Sequence, residues 1–301
     1  MIRTSVEVTE ALRAGRPVVA LESTVVAHGL PRPRNLEVGR ALEAEVREGG
    51  AVPATVGVIG GTPSVGLSDG ELERMATGEG VAKLSTRDLA VAAARRGDGA
   101  TTVAATMWLA ARAGLQVFAT GGIGGVHRGG AHDVSADLVE LGRTPMLVVC
   151  AGAKSILDLA ATREALETHG VLVAGYGTDE LPAFYARESG LSVDVRVDTP
   201  EEAAALWRAH RSLSSPGALL LCVPPPEAHA LAAAEVDGAI AEALRGAEEA
   251  GVRGKEVTPF LLRAVAERTG GRSLEANVAL LRNNARTAAQ VAAALAAGDG
   301  A

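Results

Sequence analysis

Aromatic side chains make up only 2% of this 301-residue sequence, too few for an aromatic sugar platform or a surface that stacks single-stranded bases. Cysteine is equally scarce. Cys150 and Cys222 are far apart and form no C-x-x-C pair, which fits a reducing cytosol better than a disulfide framework and offers no thiolate site for zinc. Both follow apolar runs and are expected as buried thiols at strand ends. No run of about twenty apolar residues occurs, and the start MIRTSVEVTEALRAGRP lacks the apolar stretch of a signal peptide. The expectation is a soluble, cytoplasmic protein that does not enter a membrane. Basic clusters are absent too: the formal net charge is -7, and the scattered Lys and Arg argue against nucleic acid as a partner. A small-molecule ligand is expected instead. Neither an internal repeat nor a low-complexity linker divides the chain, so 1–301 reads as a single domain with ample material for a core.

What is present is an alternation of short apolar runs with amphipathic stretches. PVVAL at 17–21, VPATVGVIGG, VAKLS, LQVFAT, PMLVVC, GVLVAGYG, LSVDVRV and GALLLCVPPP read as strands, several apolar throughout, as parallel strands buried on both faces are. Between them LEVGRALEAEVREGG reads as a helix stopped at Gly49, SDGELERMA carries a helix start, TTVAATMWLAARAG reads as a buried helix, and PEEAAALWRAHRS as another. From about 227 to 298 the chain reads as almost wholly helical. In the last of these helices Leu274, Val278, Leu281 and Ala288 form an apolar stripe, with Asn277 and Asn284 one heptad apart on a neighbouring face. The pattern predicts a three-layer α/β/α sandwich with a largely parallel sheet and a helical C-terminal extension, ligands lying at the carboxyl ends of the strands.

The chemistry is expected around residues 118–138, FATGGIGGVHRGGAHDVSADL. Its glycines give access to positive φ and let backbone N–H groups approach a phosphate or a metal-bound sugar; the alternative is a mobile surface connection. It is not a dinucleotide fingerprint, because His127 stands where the last glycine of GxGxxG would be, and no Walker A lysine follows. Asp133 and Asp137 bracket a helix start near Ser135, so both carboxylates can face the loop, or serve as caps. The donors here are oxygen and imidazole without thiolate, His127 and His132 included, which suits a hard, mostly hydrated ion such as Mn²⁺ or Mg²⁺ on Asp133. Glu22 ends the first strand and is either a catalytic carboxyl or a surface residue. His28 follows on a Gly- and Pro-rich turn. Lys83 is either a phosphate contact or a solvated lysine. Lys154, past PMLVVC, is expected at a helix start, where the positive helix end and partial burial favour a neutral, nucleophilic amine; the alternative is a lysine that snorkels to water.

Taken in order, ALESTVVAHGLPRPRN at 20–35, VAKLSTRD at 81–88, GGIGGVHRG through HDVSADL at 121–138, CAGAKSILD at 150–158, GKEVTPFLL at 254–262 and SLEANVALLRNNA at 273–285 resemble the pseudouridine-5'-phosphate glycosidase family, which includes the indigoidine-synthesis A proteins. The resemblance runs over nearly the whole chain. It implies reversible cleavage of pseudouridine 5'-phosphate to uracil and ribose 5-phosphate, a divalent metal, usually Mn²⁺, one per subunit, and a homotrimer. It also implies Glu22 as general acid, Lys154 as Schiff-base lysine and Asp133 as metal ligand. Lys83, Val103 through its backbone, Ser135, Ala136, Asp137 and Asn277 are implied as substrate contacts. The loop between His127 and Asp133 is shorter than in some relatives.

Such residues suit a carbon-linked sugar. The leaving atom is carbon and cannot carry a developing lone pair as nitrogen does, so hydrolysis by two carboxylates fits poorly and a lysine electron sink is wanted. Two other readings stand beside this one: a phosphate-binding regulatory protein, which has no use for a neutral Lys154, and an indigoidine-synthesis accessory protein with another substrate. A kinase supplying the phosphorylated substrate is expected to be a separate protein.

Overall fold

The computed structural model describes residues 2–128, 133–252 and 257–298. Its first strands are β1 (Arg3–Thr4), β2 (Val18–Leu21), β3 (Val52–Ile59) and β4 (Thr62–Val65), with helices α1 (Val6–Arg13) and α2 (Arg34–Glu48) between them. Gly49 caps α2, as the sequence predicts. Gly60 and Gly61 turn β3 into β4 with φ of 55° and 82°, a left-handed pair that makes a tight antiparallel hairpin. The sheet is largely parallel, as expected, and mixed at this flank, where β3 also pairs antiparallel with β6 (Gly99–Thr101), itself parallel to β5 (Ala82–Leu84).

Toward the other edge every pairing is parallel. From β3 the order runs through β2, β7 (Val117–Ala119), β9 (Leu147–Cys150), β13 (Leu219–Cys222), β11 (Leu172–Tyr176) and β12 (Val195–Val197). The central strands are buried at every residue, which explains why they read as unbroken apolar runs. A separate two-stranded ribbon joins β8 (Val126–His127) to β10 (Leu157–Asp158). Cys150 and Cys222 are free, buried and opposite one another at strand ends, as expected.

Helices cover both faces. The connecting helices are α3 (Asp69–Thr77), α4 (Leu89–Arg95), α5 (Val103–Arg112), α6 (Ala136–Leu141), α7 (Leu159–Thr168) and α8 (Pro200–Ser212). Ser68 and Glu71 form a reciprocal capping box at the start of α3, and Thr102 caps α5. The C-terminal segment contributes α9 (Ala233–Glu249), α10 (Val257–Arg268) and α11 (Arg272–Gly298).

The last helix is a layer of the sandwich rather than an appendage. It packs against α2 and α8 and over β2, β7 and β9, burying Leu280, Leu281, Ala285, Ala288 and Ala292. Its buried face is also rotated from the predicted stripe: Leu274 and Val278 are only half-buried, whereas Asn277 and Asn284 are buried. Glu45 of α2, 1% exposed, links the two helices by accepting from Arg282 Nε at 2.7 Å and from Arg286 Nη2 at 2.7 Å. A carboxylate at that depth is tolerated because it is charge-paired from both sides.

Candidate active site

The carboxyl ends of β2, β7 and β9 open on a cavity of about 550 Å³. Every residue that the family resemblance implies for the site lines it. Glu22 follows β2 directly, Lys83 lies within β5, Val103 opens α5, and Lys154 follows β9. Ser135, Ala136 and Asp137 begin α6, Asp133 stands just before them, and Asn277 comes from α11.

The loops after β7 and β9 prolong the parallel ladder beyond the strands. Thr120 N donates to Val149 O at 3.0 Å, Ala151 N to Gly121 O at 2.9 Å, Ile123 N to Gly152 O at 3.1 Å and Lys154 N to Ile123 O at 3.1 Å. This wall is therefore held by main-chain bonds. Gly121, Gly122, Gly124 and Gly125 are not in the left-handed region, contrary to the expectation of positive φ, whereas Gly152 of the β9 loop is, at 82°; the four after β7 are there because neighbours press on them. A Cβ on Gly122 would lie 2.6 Å from the Phe184 ring, and one on Gly124 would lie 2.3 Å from Ser135 Oγ. Residues 120–127 are packed and held by main-chain bonds, unlike a loose surface connection. Gly129, Gly130 and His132 lie outside the described residues.

Lys154 and Glu22, named from the sequence as the reacting groups, are both anchored to this wall. Lys154 Nζ donates to the Gly122 carbonyl at 2.7 Å. The Glu22 carboxyl accepts from the Thr120 hydroxyl. Burial holds the Glu22 carboxyl above the usual carboxylate range, against the opposing pull of Lys154, the Thr120 hydroxyl and Lys83, with the Asp137 charge adding to the rise. A carboxyl so placed retains its proton to higher pH and suits an acid. One expectation fails: Lys154 is not at a helix start. It sits in a turn ahead of β10, and α7 begins only after Asp158, its cap, so Lys154 does not stand in the first turn of a helix.

Asp137 is buried, and both of its oxygens are engaged. Oδ1 accepts from Ala104 N at 3.0 Å in the first turn of α5, and Oδ2 from Gly124 N at 2.8 Å. It thus pins the glycine loop to the start of α5, leaving the remaining lone pairs for a ligand. The cap of α6 is Ser135, whose hydroxyl accepts from Asp137 N at 3.2 Å. Asp133 is therefore no cap. It is exposed at the cavity lip, and its carbonyl accepts from His127 N at 3.0 Å. Burial lowers the His127 imidazole pKa, opposed by Asp133 and assisted by Lys154 and Lys83. Among the described residues no group of three or more His, Cys, Asp and Glu could hold a metal ion. The donors present fit an ion that keeps most of its water and leans on one carboxylate.

Of the first-turn amides of α5, those of Ala104 and Ala105 are engaged by Asp137 Oδ1 and the Thr102 hydroxyl, and Val103 opens the helix at the cavity. Lys83, Ser85 and Arg87 line the cavity with it, making a basic and hydroxyl-rich end suited to an anion. Ser85 and Arg87 were carried unassigned in the VAKLSTRD stretch. His28 also lines the cavity, on a π-helical turn at Val25–Gly29 where a Gly- and Pro-rich turn was expected; such turns recur at functional sites. The two asparagines of α11 part company: Asn277 faces the cavity, while Asn284 Nδ2 donates to Thr120 O at 2.9 Å behind it.

A carboxyl and an amine facing one cleft at the strand ends of a sheet covered on both faces define an α/β enzyme. Its kind follows from comparison: residues 7–294 match the family described as Indigoidine synthase A like protein, and the chain belongs to that family. A relative named pseudouridine-5'-phosphate glycosidase, from Chloroflexus aurantiacus, is 61% identical over 298 residues, covering 97% of this chain and 98% of its own. Another of that name, from Herpetosiphon aurantiacus, is 59% identical, covering 96% of each chain. Among solved structures, the prealnumycin C-glycosynthase AlnA in complex with ribulose 5-phosphate superposes with a TM-score of 0.92 at 45% identity, covering 100% of this chain and 98% of that one. An indigoidine synthase A-like protein from Thermotoga maritima gives 0.90 at 38% identity, covering 98% and 97%.

Proposed function

We propose that this protein cleaves, reversibly, the carbon–carbon glycosidic bond of pseudouridine 5'-phosphate to give uracil and ribose 5-phosphate, a step of nucleobase catabolism, through a Schiff base on Lys154. The observation that carries the mechanism is this pairing: a carboxyl biased toward its protonated form by burial and a lysine amine line one cavity and are tied to residues two apart on one wall. A phosphate-binding regulator has no need of that pair.

Glu22 gives its proton to the ring oxygen, and the C1'–O bond breaks as the uracil ring supplies the electron pair. The Lys154 amine then adds to C1' and loses a proton. Once C5 of the base is protonated, the nitrogen lone pair expels uracil and leaves an iminium at C1'. Water adds to the iminium, and ribose 5-phosphate departs with the amine restored. The phosphate is held by Lys83, Ser85 and the backbone of Val103 at the start of α5, which fixes the distant C1' against the wall. Ser135, Ala136, Asp137 and Asn277 line the remainder of the cavity and bind sugar hydroxyls and base edges.

Asp133 would hold one Mn²⁺ per subunit, largely through the ion's waters, and the ion would supply positive charge that favours the oxygens of uracil. The working assembly is a homotrimer in the cytoplasm; light scattering that gives a monomer mass at micromolar concentration contradicts the assembly. Among the described residues no helix is long and apolar enough to cross a membrane. The function is tested by following uracil release from pseudouridine 5'-phosphate and from uridine 5'-phosphate. Release from the first alone is expected, because only there must a carbon leave. Release from neither sinks the reading.

A further inference from the structure

Thr120 is 2% exposed and does not line the cavity, so any influence it has on a substrate passes through its neighbours. Those neighbours are unusual. Its hydroxyl donates to Glu22 Oε1, its amide donates to Val149 O at 3.0 Å, and its carbonyl accepts from Asn284 Nδ2 at 2.9 Å. Two residues on, the Gly122 carbonyl accepts from the Lys154 amine. Asn284 is fully buried, and among the described residues its Oδ1 accepts no hydrogen bond. Burying an oxygen without a donor costs stability, and a leucine there would avoid it. The amide is therefore kept for what its nitrogen does, which is to fix the carbonyls of Thr120 and, at 3.4 Å, Gly121.

We propose that Thr120 is a positioning residue for the reaction: its hydroxyl aims the Glu22 carboxyl, and Asn284 braces Thr120 from α11. This rests on Glu22 acting as the acid. A threonine retained only as a strand former would pack equally well with its hydroxyl replaced by a methyl. A hydroxyl that donates to a carboxyl favours the charged form, alongside Lys154 and Lys83 and against Asp137. Its removal leaves Glu22 protonated to higher pH and free to swing, while the substrate, which Thr120 never touches, binds as before.

The test measures pseudouridine 5'-phosphate cleavage across pH in Thr120→Val and Thr120→Ser, with a ¹³C titration of the Glu22 carboxyl assigned by difference against Glu22→Gln. Thr120→Val is expected to lose about 10- to 100-fold in kcat, as a displaced acid does, with KM little changed. The alkaline limb and the carboxyl titration both move upward, and Thr120→Ser restores both. Wild-type kcat with an unmoved titration in Thr120→Val overturns the proposal, as does a serine variant as impaired as valine. Should valine not fold, Thr120→Ala is read by the same criteria. Wild-type cleavage by Glu22→Gln removes the acid role and this proposal with it; an inactive Glu22→Gln beside an unaffected Thr120→Val removes the proposal alone.

Discussion

The two sides of the cavity are built differently. The wall made by the loops after β7 and β9 is an extension of the sheet, ladder bonds and close-packed glycines included, and it anchors both Lys154 and Glu22. The lip at 133–136 is largely exposed and joined to the body by the bridge of Val126 to Val134 and the bonds of His127 and Ser135. A reacting group must be held within a fraction of an ångström, so it belongs on the rigid side. Groups that greet a hydrated ion and exchange ligands belong on the open side. The difference predicts that changes in the wall strike kcat, and changes in the lip strike metal and substrate dependence.

The largest expected effect is at Lys154. Lys154→Arg keeps a positive charge but forms no imine, so activity should fall by about 10³-fold or more. Near-normal turnover would mean that charge, not covalency, is what the wall supplies. Next comes the lip: Asp133→Ala should abolish activity at ordinary metal concentrations and regain it in part at millimolar Mn²⁺, since only metal affinity is lost. Full activity of the unaltered enzyme in a chelator would contradict that division. Gly122→Ala tests the wall by crowding. Its Cβ meets the Phe184 ring and the Gly152 carbonyl at 2.9 Å, an overpacking of about 1–3 kcal/mol that displaces the carbonyl serving Lys154, and kcat should drop with KM nearly constant. The smallest kinetic effect belongs to Arg286→Met, remote from the cavity, which strips one partner from buried Glu45. It should cost about 2 kcal/mol of stability in urea denaturation and leave kcat unaltered.

Much of this contrast was legible in the sequence. Strand runs such as PMLVVC and LQVFAT are apolar because they are buried on both faces, and that same burial makes them recognisable. The motifs that resemble the glycosidase family put Glu22, Lys83, Asp133, Lys154 and Asn277 into one cavity although they are spread over the chain. What periodicity could not supply was contact between distant residues. The Thr120 hydroxyl on Glu22 and the Asn284 amide behind it depend on how β7, β2 and α11 pack, and no local pattern encodes that. The Gly60–Gly61 pair is the local signal of the antiparallel hairpin at the flank of the sheet. Lys154 was placed at a helix start because an apolar strand followed by a helical pattern usually joins through a short turn; here the ribbon β10 intervenes. The rotation of the α11 stripe has a like cause, since polar Asn277 and Asn284 serve the buried side.

The central claim is that the amine of Lys154, held by the Gly122 carbonyl, becomes covalently bound to the sugar. Borohydride added during turnover with ribose 5-phosphate and uracil tests it most directly, because reduction fixes any iminium as a stable secondary amine. Peptide mass should place one reduced pentose phosphate adduct on Lys154 and none in Lys154→Arg. An adduct on Lys83, or undiminished turnover in borohydride with no adduct anywhere, would contradict the account.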